Sequence, residues 1–150
     1  MKFLPDTSFL CALYSEQENS SQARDWYAKL SESFGISAAV MFEFRQSVRL
    51  QTFLHRQDRT KGFARKEAEE MLLALESDLE CGAVTIVPAD WPAVLLIAER
   101  VSAAHIVHGG HRSWDVLHVA TALHLGSQTL LSLDFRQRAL AAANGLKVAP

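Results

Sequence analysis

The sequence predicts an α/β fold: a three-layer α/β/α sandwich in which a short central parallel sheet lies between two layers of helices. Short apolar segments alternate with longer segments of helical periodicity along the chain. A length of 150 residues suits one domain, residues 1–150, and we find no internal repeat and no linker. Hydrophobic residues make up 49% and charged residues 21%, which is the balance of a globular chain.

Five strands are predicted from short apolar segments with turns or helices on either side. The clearest is AVTIV, because its β-branched residues favour extended backbone. The predicted strands cover residues 2–5, 34–37, 83–87, 128–133 and 146–148.

Seven helices are predicted between these strands, and several of them have recognisable ends. Ser21 and Asp90 can cap helix starts, Pro92 suits a first turn, and Gly82 and Gly126 are typical of helix ends. The predicted helices cover residues 7–14, 21–32, 38–54, 64–80, 91–104, 114–125 and 135–144. The intervening segments are predicted to be loops, among them the histidine-rich HIVHGGHRS at 105–113.

Composition excludes some functions and gives a default location. The formal net charge of −2 provides no overall attraction to nucleic acid or membrane. We find no secretory signal, and the longest apolar run, residues 91–98, is too short to cross a bilayer. Cys11 and Cys81 have no CxxC spacing, so they are expected to be buried reduced thiols of a cytoplasmic protein.

Four acidic residues stand where one edge of the sheet could receive them. Asp6 follows the first predicted strand and Asp134 the fourth, and the carboxyl ends of parallel strands share an edge. Glu43 and Asp115 lie on predominantly apolar helices, where a buried unpaired charge would be costly. Taken singly, each could be a helix cap or a solvated residue. Together they suggest a common site.

The chemistry of such a site follows from its charge. Four carboxylates in one cleft repel each other and need a cation between them. Hard oxygen ligands without nearby thiolates suit Mg²⁺ or Mn²⁺. These ions activate water and stabilise charge on a phosphoryl group, so hydrolysis of a phosphodiester is the predicted reaction.

Four sequence blocks then suggest a family. They are LPDTSF with Asp6, ISAAVMFEF with Glu43, DVLHVATALHLG with Asp115, and LLSLDFRQRALAAANGLKV with Asp134. In these blocks and their order the chain resembles PIN-domain ribonucleases, and most of all the VapC toxins of bacterial and archaeal toxin–antitoxin pairs. The third block is the most specific of the four.

The resemblance implies roles for particular residues. Asp6, Glu43, Asp115 and Asp134 would be the catalytic, metal-binding acids. Ser8 would line the site, and Ser132 would orient the last carboxylate. The implied activity is cleavage of RNA with Mg²⁺ or Mn²⁺, in a homodimer held inactive by a cognate antitoxin protein.

Two departures from the family pattern concern the ends of the chain. Pro5 precedes Asp6 where a plain apolar residue is commoner, and proline donates no backbone hydrogen bond. FRQR follows Asp134 where many members have a further acid, which leaves one metal or two in the resting site as an open question.

Candidate RNA contacts come from a basic segment. Seven Lys and Arg lie between residues 45 and 66, where Asp58 is the single acid. Arg45 and Arg49 are one helical turn apart and begin just after Glu43, and Arg112 precedes Asp115. Such a strip would neutralise phosphates. A solvated helix face or a contact with the antitoxin would give the same pattern.

Histidines and aromatic residues receive more conservative interpretations. His105, His108 and His111 have a spacing of three, but the lack of a nearby Cys and the Gly109–Gly110 pair argue against zinc. His118 is expected to be a core residue or a partner of a ligand. Phe42 and the other helical aromatics are expected in the core or a subunit interface, rather than stacked on bases.

Two other functions remain as alternatives. A PIN-like module could bind RNA or a protein without cutting, with the basic strip kept and useful metal affinity lost. A phosphohydrolase of the haloacid-dehalogenase type also has an Asp after its first strand, but it needs a second Asp where Ser8 stands.

Overall fold

The computed structural model describes residues 2–30 and 33–150 and has the predicted α/β architecture. Within those residues there are five strands and seven helices, with one or two helices between successive strands. They are β1 Phe3–Pro5, α1 Thr7–Tyr14, α2 Ser20–Tyr27, β2 Phe34–Ser37, α3 Ala38–Gln57, α4 Arg65–Glu80, β3 Val84–Val87, α5 Trp91–Gly109, α6 Ser113–His124, β4 Thr129–Leu131, α7 Phe135–Ala143 and β5 Lys147–Ala149. No helix in this part of the chain is long and apolar enough to cross a membrane.

All the strand pairs are parallel, as the alternation of strands and helices predicts. One ladder has the order β1-β4-β5 and the other pairs β2 with β3, and β1 contacts β2 where the two ladders meet. Pro5 is in register with Leu131, and Ser37 with Val87. The carboxyl ends of β1, β2 and β4 therefore lie at the same side of the molecule.

Two separate cores cover the two faces of the sheet. Successive residues of a strand point to opposite faces, and Leu130 and Leu131 of β4 accordingly enter different cores. Leu131 packs in the cluster that contains Phe9 and Phe44, with helices α1 to α4. Leu130 packs in the cluster of helices α5 to α7, which includes Val119. This arrangement gives the three layers.

Helix α5 is longer than the sequence suggested, so the prediction of a loop from His105 was wrong. The helix continues to Gly109 and ends at Gly110, whose φ of 60° is left-handed and whose N–H donates to the carbonyl oxygen of Ile106 at 2.9 Å. The first glycine of the pair is therefore helical, and only the second one ends the helix.

The other differences concern helix ends and one cysteine. Helix α2 ends at Tyr27, and its predicted end at Glu32 lies outside the described residues. Helix α3 continues to Gln57, three residues beyond its predicted end. Both cysteines are free, but Cys81 is exposed and not buried, because it lies at the C-terminal end of α4.

The turn between α3 and α4 gives a prediction about stability. Gly62 has a φ of +63°, and a Cβ there would stand 2.0 Å from the carbonyl oxygen of Gln51. Gly82 has a φ of +78° but faces open space. Gly82→Ala should cost about 1 kcal/mol in unfolding free energy for the left-handed backbone alone. Gly62→Ala should cost about 2 kcal/mol more, because the clash is with backbone.

Urea unfolding of the two variants and the parent chain measures this difference. Equal losses in the two variants would show that the contact between residue 62 and α3 is not rigid.

Candidate active site

Asp6 is a buried carboxylate at the end of β1, and it also caps α1. Its side chain accepts hydrogen bonds from the N–H of Phe9 at 2.9 Å, from the hydroxyl of Ser8 at 2.7 Å and from the hydroxyl of Ser132 at 2.5 Å. Only 1% of the residue is exposed. Burial raises the pKa of Asp6, and the three hydrogen bonds oppose that rise.

The two serines join the end of β1 to the loop after β4. The Ser8 hydroxyl accepts the N–H of Leu133 at 2.9 Å, and the Ser132 hydroxyl accepts the N–H of Asp134 at 3.1 Å. Ser8 and Ser132 thus both contact the Asp6 carboxylate as well as the loop after β4. Ser132 contacts the backbone of Asp134, while its hydroxyl donates to the carboxylate of Asp6.

Asp134 lies beside this buried network but is itself exposed. Its Oδ1 caps α7 by accepting the N–H groups of Arg136 at 2.8 Å and Gln137 at 3.2 Å. The predicted capping role and the predicted position next to Asp6 therefore occur together, since a cap occupies only one of the two carboxylate oxygens.

Glu43 approaches the same edge from the second turn of α3. It accepts hydrogen bonds from the hydroxyl of Thr7, which follows Asp6, and from Nε2 of the buried His118 at 2.6 Å. Partial burial favours a higher pKa for Glu43. The hydrogen bond and charge of His118, the Thr7 hydroxyl and the charge of Arg112 outweigh burial and lower that pKa.

Thr7 was missed in the sequence, and His118 was recognised only as one of two options. The position of Thr7 next to Asp6 was the available signal. For His118 the signal was its place one helical turn after Asp115 on a largely apolar helix. Neither position reveals that Glu43, far away in the chain, is the shared partner.

Asp115 lies in the first turn of α6, the helix that also carries His118. Its carboxylate accepts the backbone N–H of Arg112 at 2.9 Å, so it stabilises the helix start. On α6, Asp115 lies three positions before His118, whose ring binds Glu43. The contacts run from Asp134 through the serines to Asp6, and from Thr7 through Glu43 to α6.

The basic segment is partly neutralised by neighbouring acids. Arg45 forms an ion pair with Glu76. The ion pairs of Lys61, Arg65 and Lys66 are with Asp58, Glu69 and Glu70 respectively. Arg49 and Arg112 are exposed, and neither forms an ion pair with the described residues. Of the three predicted RNA contacts, these two have no ion-pair partner among the described residues.

The donors at this edge suit a hard cation, but they do not form a closed cage. The predicted acids provide carboxylate oxygens, and burial raises the pKa of the nearby Cys11 thiol to about 12, which keeps it protonated. Within residues 2–30 and 33–150, no three His, Cys, Asp or Glu side chains are grouped as ready metal ligands.

Comparison with known proteins identifies a family model and a set of similar folds. The model of the PIN domain matches residues 3–143. No curated protein matches the sequence. VapC20 of Mycobacterium tuberculosis, described as a toxin that cleaves the sarcin–ricin loop, is 18% identical with a TM-score of 0.63, over 99% of this chain and 100% of that one.

Two further similar structures are complexes. FitAcB from Neisseria gonorrhoeae is 20% identical with a TM-score of 0.64, over 99% of this chain and 96% of that one. VapBC2 from Rickettsia felis, bound to a DNA fragment from its promoter, is 12% identical with a TM-score of 0.65, over 99% and 97%. At these sequence identities, the comparisons show that the folds are similar and nothing further.

The buried Asp6 predicts an unusual stability change. Its raised pKa means that the folded, metal-free protein binds this proton more tightly than the unfolded chain does. The stabilising contribution is complete below the unfolded pKa of about 3.9 and is lost as pH rises through the folded pKa. Asp6→Asn removes the buried charge and keeps a good cap. It should therefore raise the melting temperature at pH 7 in EDTA, by about 2–4 °C for each kcal/mol gained in the free energy of unfolding.

Thermal unfolding from pH 4 to 8 measures this effect, and the gain should shrink towards pH 4. Asp134→Asn is the matched control, because this capping acid is already exposed and should change little. A loss of stability in Asp6→Asn at pH 7 would contradict the argument.

Proposed function

The chain belongs to the PIN-domain family, whose members are nucleases, and from this premise we propose that it is a metal-dependent endoribonuclease that acts as the toxin of a toxin–antitoxin pair. The proposal takes residues 1–150 as one PIN domain in the cytoplasm. Its substrate is RNA, and its cofactor is Mg²⁺ or Mn²⁺.

The observation that carries the proposal is the buried carboxylate of Asp6. The hydroxyl groups of Ser8 and Ser132 hold it, and the backbone N–H of Asp134 donates to both hydroxyls. Glu43 accepts a hydrogen bond from Thr7, the residue after Asp6, and from His118 of α6, the helix that also carries Asp115. A bound divalent cation would supply activated water and charge stabilisation for phosphodiester hydrolysis. We propose that the four carboxylates hold this cation, with Asp6 as the central ligand.

The surrounding residues have distinct supporting tasks in this proposal. Ser8 and Ser132 fix the orientation of the Asp6 carboxylate. His118 and Thr7 hold one oxygen of Glu43, so its other oxygen is free to bind the ion.

The same proposal includes a protein partner and self-association. The similar FitAcB, FitAB and VapBC structures are complexes, and VapBC2 and FitAB are bound to DNA. By analogy we propose that a cognate antitoxin binds and inhibits this chain, and that the chain forms a homodimer. Exposed large apolar side chains such as Leu95, Leu96 and Val107 provide surface for such contacts.

One observation favours a second candidate. The absence of a preformed ligand group in the described residues would also suit a PIN-like module that binds RNA or protein without cutting. The two candidates differ in whether Mn²⁺ binds through the carboxylates.

The central test replaces acids by amides. Asp6→Asn and Asp115→Asn should each lower the rate of RNA cleavage in Mg²⁺ or Mn²⁺ at least 100-fold, because each removes a charge that the cation needs. Asp90→Asn is the matched control: Asp90 also caps a helix and is exposed, but it contacts His124 at the far end of α6. Its activity should match that of the parent chain.

Calorimetric titration of the same variants with Mn²⁺ separates the two candidates. A nuclease should bind Mn²⁺ and lose this binding in Asp6→Asn and Asp115→Asn. Undiminished cleavage in both variants, in protein freed of contaminating metal, would reject the site. No carboxylate-dependent binding in the parent chain would favour the non-catalytic module.

The free arginines give a second prediction, about affinity. Arg49→Ala and Arg112→Ala should each weaken RNA binding and reduce the slope of log affinity against log salt by about 1. Arg45→Ala should have a smaller effect, since Glu76 already neutralises that charge. The control is Arg24→Ala: Arg24 lies on α2 and forms a surface ion pair with Glu16, which precedes that helix. Filter binding at several salt concentrations provides the measurement, and equal slopes in all four variants would contradict the assignment.

A further inference from the structure

A ladder of three rings leads from the buried acid network to the surface. The ring of His118, which binds Glu43, lies 6.0 Å from the ring of Trp114 with an interplanar angle of 32°. Trp114 lies 6.0 Å from Phe42 at 33°. Phe42 forms the outer end and is 54% exposed. We call these three residues the aromatic ladder.

The geometry of this ladder differs from that of the core aromatics. In the core, Phe3 and Phe9 meet Trp26 at 88° and 87°, and Tyr27 meets Phe34 at 85°, which are edge-to-face contacts. The rings of the ladder are instead inclined by only about a third of a right angle. Phe42 was expected in the core or a subunit interface, and its exposure shows that it is not in the core. Because Phe42 is 54% exposed, more than half of its surface is available to a ligand.

The ladder lies directly beside the proposed reaction site. Phe42 precedes Glu43 on α3, and Trp114 precedes Asp115 on α6, so the two helices contribute both an acid and a ring. Arg112 is also nearby, since its charge lowers the pKa of Glu43. Exposed aromatic surface, acidic side chains and the guanidinium group of Arg112 are thus contributed by α3, by α6 and by the residue before α6.

Charge and position together indicate what would cover the exposed ring. The outward face of α3 continues from Phe42 to Arg49, seven residues or about two turns further, and Arg49 forms no ion pair with the described residues. Aromatic faces for bases and cations for phosphates, arranged along one path, are the features of surfaces that bind single-stranded nucleic acid.

We propose that Phe42 and Trp114 form a stacking platform for an unpaired base next to the scissile phosphate. The platform selects single-stranded or looped RNA, because the bases of a duplex are already stacked on both faces. This inference rests on the proposed nuclease function and adds to it two positioning residues.

The test measures binding of a fluorescein-labelled single-stranded oligoribonucleotide, and of its duplex, by anisotropy in EDTA. Phe42→Ala should weaken the Kd for the single strand about 10-fold, and Phe42→Trp should restore it, because an aromatic face is required. Phe53→Ala is the matched control: Phe53 is on the same helix, three turns further, and is 53% exposed. It should bind like the parent chain, and the parent chain should prefer the single strand.

Three outcomes would overturn the inference. The first is equal binding by Phe42→Ala and Phe53→Ala. The second is equal affinity of the parent chain for single strand and duplex. The third is a fall in molar mass of the Phe42→Ala variant by light scattering, which would make this face a protein interface.

Cleavage by the parent chain in Mn²⁺ distinguishes failure of the stacking platform from failure of the proposed nuclease function. If the parent chain cleaves RNA and Phe42→Ala binds and cleaves as well, only the platform is wrong. If the parent chain neither binds nor cleaves RNA, the proposed function fails and the platform fails with it.

Discussion

The desolvated charge of Asp6 is the constraint on which the rest of the site depends. A carboxylate with 1% exposure must find donors within the protein, and it finds them in the backbone of α1 and in two hydroxyl groups. One hydroxyl comes from Ser132, which is 126 positions away in the sequence. The contacts that make the burial of Asp6 tolerable therefore also join the ends of β1 and β4, so the arrangement of the strand ends and the position of the acid are determined together.

Helix α6 provides the second connection, and its spacing explains how. Trp114 and His118 are four positions apart and so lie on the same face of the helix, where their rings meet. His118 then donates to Glu43 on α3, while Asp115 stabilises the start of α6. A single helix thus positions one acid directly and another through a buried imidazole. The two core clusters on either face of the sheet hold α3 and α6 in the required relation.

Local signals were sufficient for much of the fold and for the candidate acids. The caps at Asp6, Asp90 and Asp134 and the β-branched segment of β3 could be recognised because they depend on residues close in sequence. Long-range packing could not be predicted in this way. Nothing near Arg45 indicates that Glu76 of α4 neutralises it, and nothing near Phe42 shows that its face of α3 stays uncovered. The end of α5 was missed because either of two adjacent glycines could adopt the left-handed conformation.

Helix capping alone does not account for Asp6. A cap contributes about 1 kcal/mol and needs one acceptor oxygen, which can remain in solvent, as Asp90 and Asp134 show. Burying a carboxylate has a penalty of several kcal/mol, and hydrogen bonds offset only part of it, since the pKa of Asp6 stays raised. An asparagine would cap α1 as well without this penalty. An acid at such a position suits a use that an amide cannot serve, and the proposed binding of a cation is a use that requires its charge.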